Sequence, residues 1–455
     1  MYGRRRVGKT LLIKEAANYD FTFSFTATDN ITKSLQLANF AVELAKQFNT
    51  STTFSFKTWF EAFHQLGILL ESLPTDQNKI IFLDEIPWAD TPKSYFIQAL
   101  ENFWNVRCAF HPDIKVVVCG SATSWILNKI IGNRGGLYGR ITHQFKIEPF
   151  NLYESALYFK AKGFKYSKKE IADIYRVTGG IPYYFSLMKT ELSVVQNIDY
   201  LFFAKNAPLI KEFNYLYASI YKRPAIYLDV VRQLANMGKG MTRQELIKKL
   251  HIKGNGGFSN VLKELEECGF IRAYLPFEIS SRKKTSKNSP FTLYQLVDLY
   301  SLFYLKFLNE HKYYNENFWS ANFRTPSINT WRGISFEKLC LWHIPQIKEA
   351  LGISGVDVRV CSWIGSYEGE KAQIDLIIER KDGVLNICEM KYSGEKYVIT
   401  KKYYEEFEHK LNIFIEASKT RKTPMVTFIT SNGIKLNSYS GLVQKQVELV
   451  QLFKY

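Results

Sequence analysis

The run GRRRVGKT, Gly3 to Thr10, constrains this chain more than any other stretch, because it fits the phosphate-loop pattern of two spaced glycines followed by Lys and a hydroxyl. Glycines let backbone N–H groups turn inward toward phosphate oxygens, Lys9 reaches the terminal phosphates, and Thr10 offers its hydroxyl to magnesium. Gly3, Arg4, Arg5, Arg6, Val7, Gly8, Lys9 and Thr10 are therefore the candidate nucleotide-binding residues. The following LLIKEAANY reads as the helix whose N-terminus faces the phosphates. Taken alone, the string also fits a basic turn ahead of a helix. A phosphate loop follows a buried strand, and only Met1 and Tyr2 stand ahead of this one, so that strand is expected to be missing or supplied by another segment.

A chain of 455 residues exceeds one ordinary core and points to about three domains. Hydrophobic content of 46%, with 15% aromatic, is that of a packed globular protein and excludes a disordered one. No apolar run approaches a membrane span and no signal peptide opens the sequence, so a soluble, cytoplasmic protein with no membrane partner is expected. Six scattered cysteines without a CxxC pair read as reduced core residues, and the seven histidines show no ligand spacing. The net charge of +17 is spread along the chain and favours a polyanion, nucleic acid (DNA) first and a membrane surface second, over a merely soluble Lys-rich surface.

Beyond the loop, FTFSFTA (Phe21 to Ala27) alternates like a strand, and SLQLANFAVELAKQF (Ser34 to Phe48) has helical spacing. In KIIFLDEIPWAD the apolar run Ile80 to Leu83 reads as a buried parallel strand ending in Asp84 and Glu85. In phosphate-loop enzymes the first acid of such a pair coordinates magnesium and the second activates water. KVVVCGSATSW (Lys115 to Trp125) is a third buried run whose tip places Ser121 beside the acids if the strands are neighbours. Ser121 is a candidate sensor of the terminal phosphate; capping the next helix is an equally compatible role.

Together with LYGR (Leu137 to Arg140) and TGGIPYY (Thr178 to Tyr184), these motifs resemble the archaeal and bacterial AAA-related and STAND-related ATPases. The resemblance implies ATP and Mg2+ as cofactors, Thr10 and Asp84 as metal ligands, Glu85 as base, Arg140 as a terminal-phosphate contact, and a helical lid shaped by Gly179, Gly180 and Pro182.

Residues 151 to about 215 are helix-patterned and fit that lid. AIYLDVVRQLANM, TRQELIKKL and GFSNVLKELEECGFI, followed by apolar strands around the basic SSRKKTSK, read as a winged helix over 216–300. Thr242 and Glu245 fit a capping box. Glu264, Glu266 and Glu267 argue against base reading by the third helix, which leaves DNA contact and a structural or dimerising role open.

The last third, 301–455, holds a second chemical pattern. Glu337 lies on the helix RGISFEKLCLWHI, Asp375 in the strand AQIDLIIER, and Glu389 and Lys391 in the strand GVLNICEMKYS. Residues two apart on a strand share a face, so Glu389 and Lys391 point the same way. Two acids from neighbouring strands, Asp375 and Glu389, can bind a divalent cation, and Lys391 can position the attacking water. Glu337, Asp375, Glu389 and Lys391 resemble the PD-(D/E)xK nuclease centre, with Ile374 where some members have Pro; Gln373, Lys401 and Lys402 are accessory candidates. The whole pattern is similar to fusions of these ATPases to a DUF234-type nuclease-like domain.

The sequence thus predicts an α/β protein: a phosphate-loop ATPase core (1–150), helical lid (151–215), winged helix (216–300) and restriction-endonuclease-like α/β domain (301–455). The leading function is an ATP-hydrolysing, DNA-directed enzyme with a Mg-dependent nuclease site. The alternatives are a STAND-like nucleotide-regulated switch and a DNA-binding protein without cleavage, with homo-oligomerisation left open.

Overall fold

The computed structural model describes residues 1–133, 135–221, 223–238, 240–277, 290, 292–309 and 315–454. The chain divides into two compact units, Met1–Pro149 and Phe150–Tyr455. No helix among the described residues is long and apolar enough to cross a membrane.

In the first unit β1 (Tyr2–Gly3) leads through the loop into α1 (Lys9–Ala16), then β2 (Phe23–Thr26), α2 (Lys33–Gln47), α3 (Trp59–Glu71), β3 (Lys79–Asp84), α4 (Phe96–Phe103), β4 (Ile114–Val118) and β5 (Lys146–Ile147). Thr32 and Thr58 start α2 and α3 by accepting hydrogen bonds from the backbone N–H groups of Leu35 and Glu61. Strands β2, β3 and β4 form a parallel sheet in which Thr26 pairs with Asp84 and Leu83 with Val118. One face of the sheet packs under Phe40, Trp59, Phe63 and Phe96, rings in edge-to-face or tilted contact at 4.9–5.8 Å. This aromatic layer fixes the strand ends, and the C-terminal ends of parallel strands are where ligands bind.

Where the sequence leaves little room for a strand ahead of the loop, Tyr2 and Gly3 form a two-residue one. They pair in parallel with Lys146 and Ile147, and Tyr2 bridges to Gly120 beyond the end of β4. The Met1 ammonium donates to the Val118 carbonyl at 2.7 Å, and Tyr2 N–H to Phe145 O at 2.9 Å. β4 departs from a fully buried run: Val116, Val117 and Val118 are only half-buried. They line a cavity of about 720 Å³ shared with Tyr2, Ile13 and Phe145.

The second unit begins with helices Leu152–Ala161, Lys168–Thr178, Pro182–Ser186, Val194–Phe202 and Glu212–Ala218. Capping boxes start three of them, at Asn151, Ser167 and Ser193. Helix Pro224–Asn236, β6 (Met241–Thr242), helices Arg243–Leu250 and Gly256–Glu267, β7 (Ile271–Pro276) and β8 (Leu293–Leu296) follow. The Thr242–Glu245 capping box forms with both of its hydrogen bonds. The basic SSRKKTSK stretch lies outside the described residues.

Helices Pro326–Trp342 and Ile344–Ala350 then lead to β9 (Val358–Tyr367), β10 (Glu370–Arg380), β11 (Val384–Lys391), helix Lys401–Ser418, β12 (Thr423–Thr430) and β13 (Lys445–Glu448). The eight strands among the described residues of this unit form one sheet, ordered β13-β12-β11-β10-β9-β7-β8-β6. The seam is a parallel pairing of β7 with β9, Leu275 opposite Cys361, extended by Phe277 N–H to Ser362 O at 2.8 Å. Helix Lys401–Ser418 lays Phe407 and Phe414 over the inner strands.

Candidate functional site

The loop in the first unit is shaped by backbone geometry that only glycine takes readily. Gly3 has φ +148°, and a Cβ there would sit 2.2 Å from the Ile147 carbonyl oxygen. Gly8, at φ +86°, is the N-cap of α1 and offers no side chain to the helix's first N–H groups, and a helix N-terminus of this kind is where phosphate oxygens bind.

Lys9, 5% exposed, turns back into the loop. Its ammonium donates to Gly3 O at 3.0 Å, Arg4 O at 2.9 Å and Ser121 Oγ at 3.0 Å. Thr10 Oγ1 donates to Asp84 Oδ2 at 2.8 Å, and Asp84 Oδ1 accepts from Glu85 N–H at 2.9 Å. Ser121 closes the network by donating Oγ–H to Glu85 Oε1 at 2.6 Å and its N–H to Glu85 Oε2 at 3.1 Å. Glu85 itself has φ +48°, a strained non-glycine turn that aims its side chain at β4.

The parallel pairing of β3 and β4 thus brings Lys9, Thr10, Asp84, Glu85 and Ser121 together. Arg4 and Val7 are buried in the loop, while Arg5 and Arg6 are half-buried. Arg140 stands apart: it is exposed and lines the apolar cavity beside β4. The Thr10 hydroxyl in contact with the Asp84 carboxylate is a donor set suited to magnesium, which takes one or two protein oxygens and otherwise keeps water.

Residues 1–188 match the ATPase domain family found predominantly in Archaea. Over that stretch the chain is similar to an ATPase domain. Over 413 residues, an uncharacterized protein of Methanocaldococcus jannaschii is 23% identical, covering 90% of this chain and 86% of that one. Among solved structures, the Walker-type ATPase of Pyrococcus abyssi is 18% identical across 67% of this chain and 89% of its own, with a TM-score of 0.46. A chain from Drosophila ORC bound to GC-rich DNA and Cdc6 covers 66% of this chain and 82% of its own at 11% identity, with a TM-score of 0.23.

The second unit gathers the C-terminal candidates. The pairing of β10 with β11 runs up to Leu376 opposite Cys388, and Asp375 and Glu389 are the next residue along each strand. On its other side β10 shifts register against β9 between Ile374 and Ile377, a bulge that frees Asp375 from regular pairing. Gln373 Nε2 donates to Asp375 Oδ1 at 2.7 Å. Glu337 projects from helix Pro326–Trp342, which packs on β11. Burial lifts its carboxyl to about 7, reinforced by the charges of Asp375 and Glu389 against Lys338 and Lys391.

Glu389 behaves oppositely. Burial pushes its carboxyl up, but Lys410 and Lys391 outweigh this and hold it at about 2. Lys391 Nζ lies 2.9 Å from Oε1 and Lys410 Nζ 2.8 Å from Oε2. Lys401 and Lys402 point elsewhere, into exposed pairs with Glu405 and Glu406.

Sequence reading missed Lys410. Its signal was a lysine on an otherwise aromatic stripe, Tyr403, Phe407, Lys410 and Phe414, at helical spacing. Among the described residues no group of three or more His, Cys, Asp or Glu is arranged to hold a metal ion. Asp375 and Glu389 form a two-carboxylate donor set, which fits a magnesium ion that keeps most of its water.

Proposed function

We propose that this protein binds and hydrolyses ATP in its first unit and cleaves DNA, with a divalent cation, at the Glu337, Asp375, Glu389 and Lys391 cluster of its second. The observation that carries the ATP reading is the network joining Lys9, Thr10, Asp84, Glu85 and Ser121. A terminal phosphate entering the loop replaces the Gly3 and Arg4 carbonyls as acceptors of the Lys9 ammonium. Glu85 takes the proton of the attacking water, and Thr10 and Asp84 hold magnesium, which when bound neutralises charge developing on the phosphates.

The DNA reading is supported by the net charge of +17 and by the paired acids and lysine across β10 and β11. At that cluster Asp375 and Glu389 would hold a divalent cation, which when bound polarises a phosphodiester oxygen. Lys391 orients the attacking water, and Glu337, near neutral pH, exchanges a proton with it. The helices and strands between 224 and 296 serve as a winged helix in this reading.

The test incubates the purified protein with plasmid and Mg2+ or Mn2+, with and without ATP, beside Lys9→Ala and Lys391→Ala. ATP turnover lost only in the first variant and cleavage lost only in the second is the expected pattern. Unchanged turnover in Lys9→Ala ends the ATPase assignment, and intact plasmid under every metal condition ends the nuclease one.

A second reading, a STAND-like switch that holds nucleotide and hydrolyses it slowly, is favoured by the two hydrogen bonds that engage Glu85 on Ser121. Nucleotide co-purifying with the protein at one equivalent, with negligible turnover, would select it.

A further inference from the structure

The Glu389 carboxylate carries an ammonium on each oxygen. Lys391 reaches Oε1 from the same strand, and Lys410 reaches Oε2 from helix Lys401–Ser418. The two lysines are not equivalent. Lys391 rises from the same strand as Glu389, two residues on, so β11 itself sets its reach to Oε1. Lys410 comes from a separate element on four methylenes, its head 4.5 Å from the Phe407 ring centroid; the two side chains are almost equally exposed, 26% for Lys410 and 28% for Lys391, so what separates them is the element each comes from.

A divalent cation approaching Asp375 and Glu389 therefore meets a carboxylate already neutralised by two like-charged groups. Like charges this close repel strongly in a half-buried site. The obvious competing anion for an ammonium beside a phosphodiester site is a phosphate oxygen of the nucleic acid.

We propose that Lys410 is a counter-ion that makes cation capture at Asp375 and Glu389 depend on nucleic acid. In the free protein its ammonium occupies Glu389 Oε2; when a DNA strand binds, the ammonium moves to a non-bridging phosphate oxygen and Oε2 becomes a metal ligand. No covalent bond changes in this step. Lys410 is thus a positioning residue, acting on the metal through Glu389, and the consequence is reciprocal: DNA raises cation affinity, and the cation raises DNA affinity. The inference rests on the nuclease reading of this cluster.

The test titrates Mn2+ into the full-length protein without DNA by calorimetry, counting only the binding that disappears in Glu389→Gln, which sets aside any cation taken up at Thr10 and Asp84. Lys410→Gln is expected to bind Mn2+ about tenfold more tightly than the wild type, and Lys410→Arg to resemble the wild type. In EDTA, Lys410→Gln is expected to bind a labelled duplex severalfold more weakly by fluorescence anisotropy. If the wild type cleaves plasmid with Mn2+ but Lys410→Gln binds the cation no more tightly, the counter-ion role is overturned while the nuclease reading stands. If the wild type neither cleaves nor shows Mn2+ binding sensitive to Glu389→Gln, and Lys410→Gln shows none either, both are overturned.

Discussion

Ser121 grips both carboxylate oxygens of Glu85, donating its hydroxyl to one at 2.6 Å and its backbone N–H to the other at 3.1 Å. A carboxylate held this way has two lone-pair directions occupied before water arrives. Ser121→Ala removes the hydroxyl donor but keeps the backbone one. The expected outcome is ATP turnover raised a few-fold at saturating ATP, while Glu85→Gln lowers it about a hundredfold or more. Steady-state kinetics decides; equal losses in both variants would mean that Ser121 assists the base.

Lys9 is buried with loop carbonyls as its acceptors, so removing its ammonium leaves Gly3 O and Arg4 O without that donor. Lys9→Ala is expected to lose measurable ATP binding and to destabilise the nucleotide-free protein by about 1–3 kcal/mol. Calorimetric titration and urea unfolding read the two effects separately.

Gly3→Ala puts a methyl 2.2 Å from the Ile147 carbonyl oxygen at a φ of +148°. The strand pair β1–β5 must open to admit it, at a cost of about 1–3 kcal/mol or more. Gly139→Ala is the comparison, since its φ is also positive but nothing lies within 4 Å of the added carbon. Thermal melts should show a clearly larger loss for Gly3→Ala.

Glu337 gives a pH prediction. Its folded value of about 7 exceeds the ordinary 4.5, so the folded chain keeps a proton that the unfolded chain has released. The resulting stability is full below about pH 4.5 and is lost as pH rises through about 7, amounting to on the order of 3 kcal/mol. Glu337→Gln should gain on the wild type between pH 5 and pH 8 in urea melts; parallel curves would show that the carboxyl is not buried as described.

The loop, the acidic strand end and the strand carrying Glu389 and Lys391 were legible because each rests on local spacing. Gly3 to Thr10 fixes its own turn, and Asp84 falls at the end of β3 because the apolar run stops there. Ser121 was legible as a neighbour of the acids for the same reason, two parallel strands ending at one level. Lys410 was not, because 19 residues and an intervening helix turn separate it from Lys391, and only the packing of Phe407 and Phe414 aims it at Glu389. The half-buried valines of β4 escaped notice because an apolar run looks the same whether a side chain or a cavity stands opposite it.

The seam between β7 and β9 has a mechanical consequence. A fragment beginning at residue 301 would present β9 with a bare edge where Leu275, Pro276 and Phe277 now dock, an invitation to self-association. Within the intact unit, those ladder hydrogen bonds are expected to make strands Ile271–Pro276 and Leu293–Leu296 and the strands bearing Asp375 and Glu389 melt as one block. Hydrogen exchange should therefore find the Phe277 and Cys388 amides released together, and a ligand that grips either end of the sheet will slow exchange at the other.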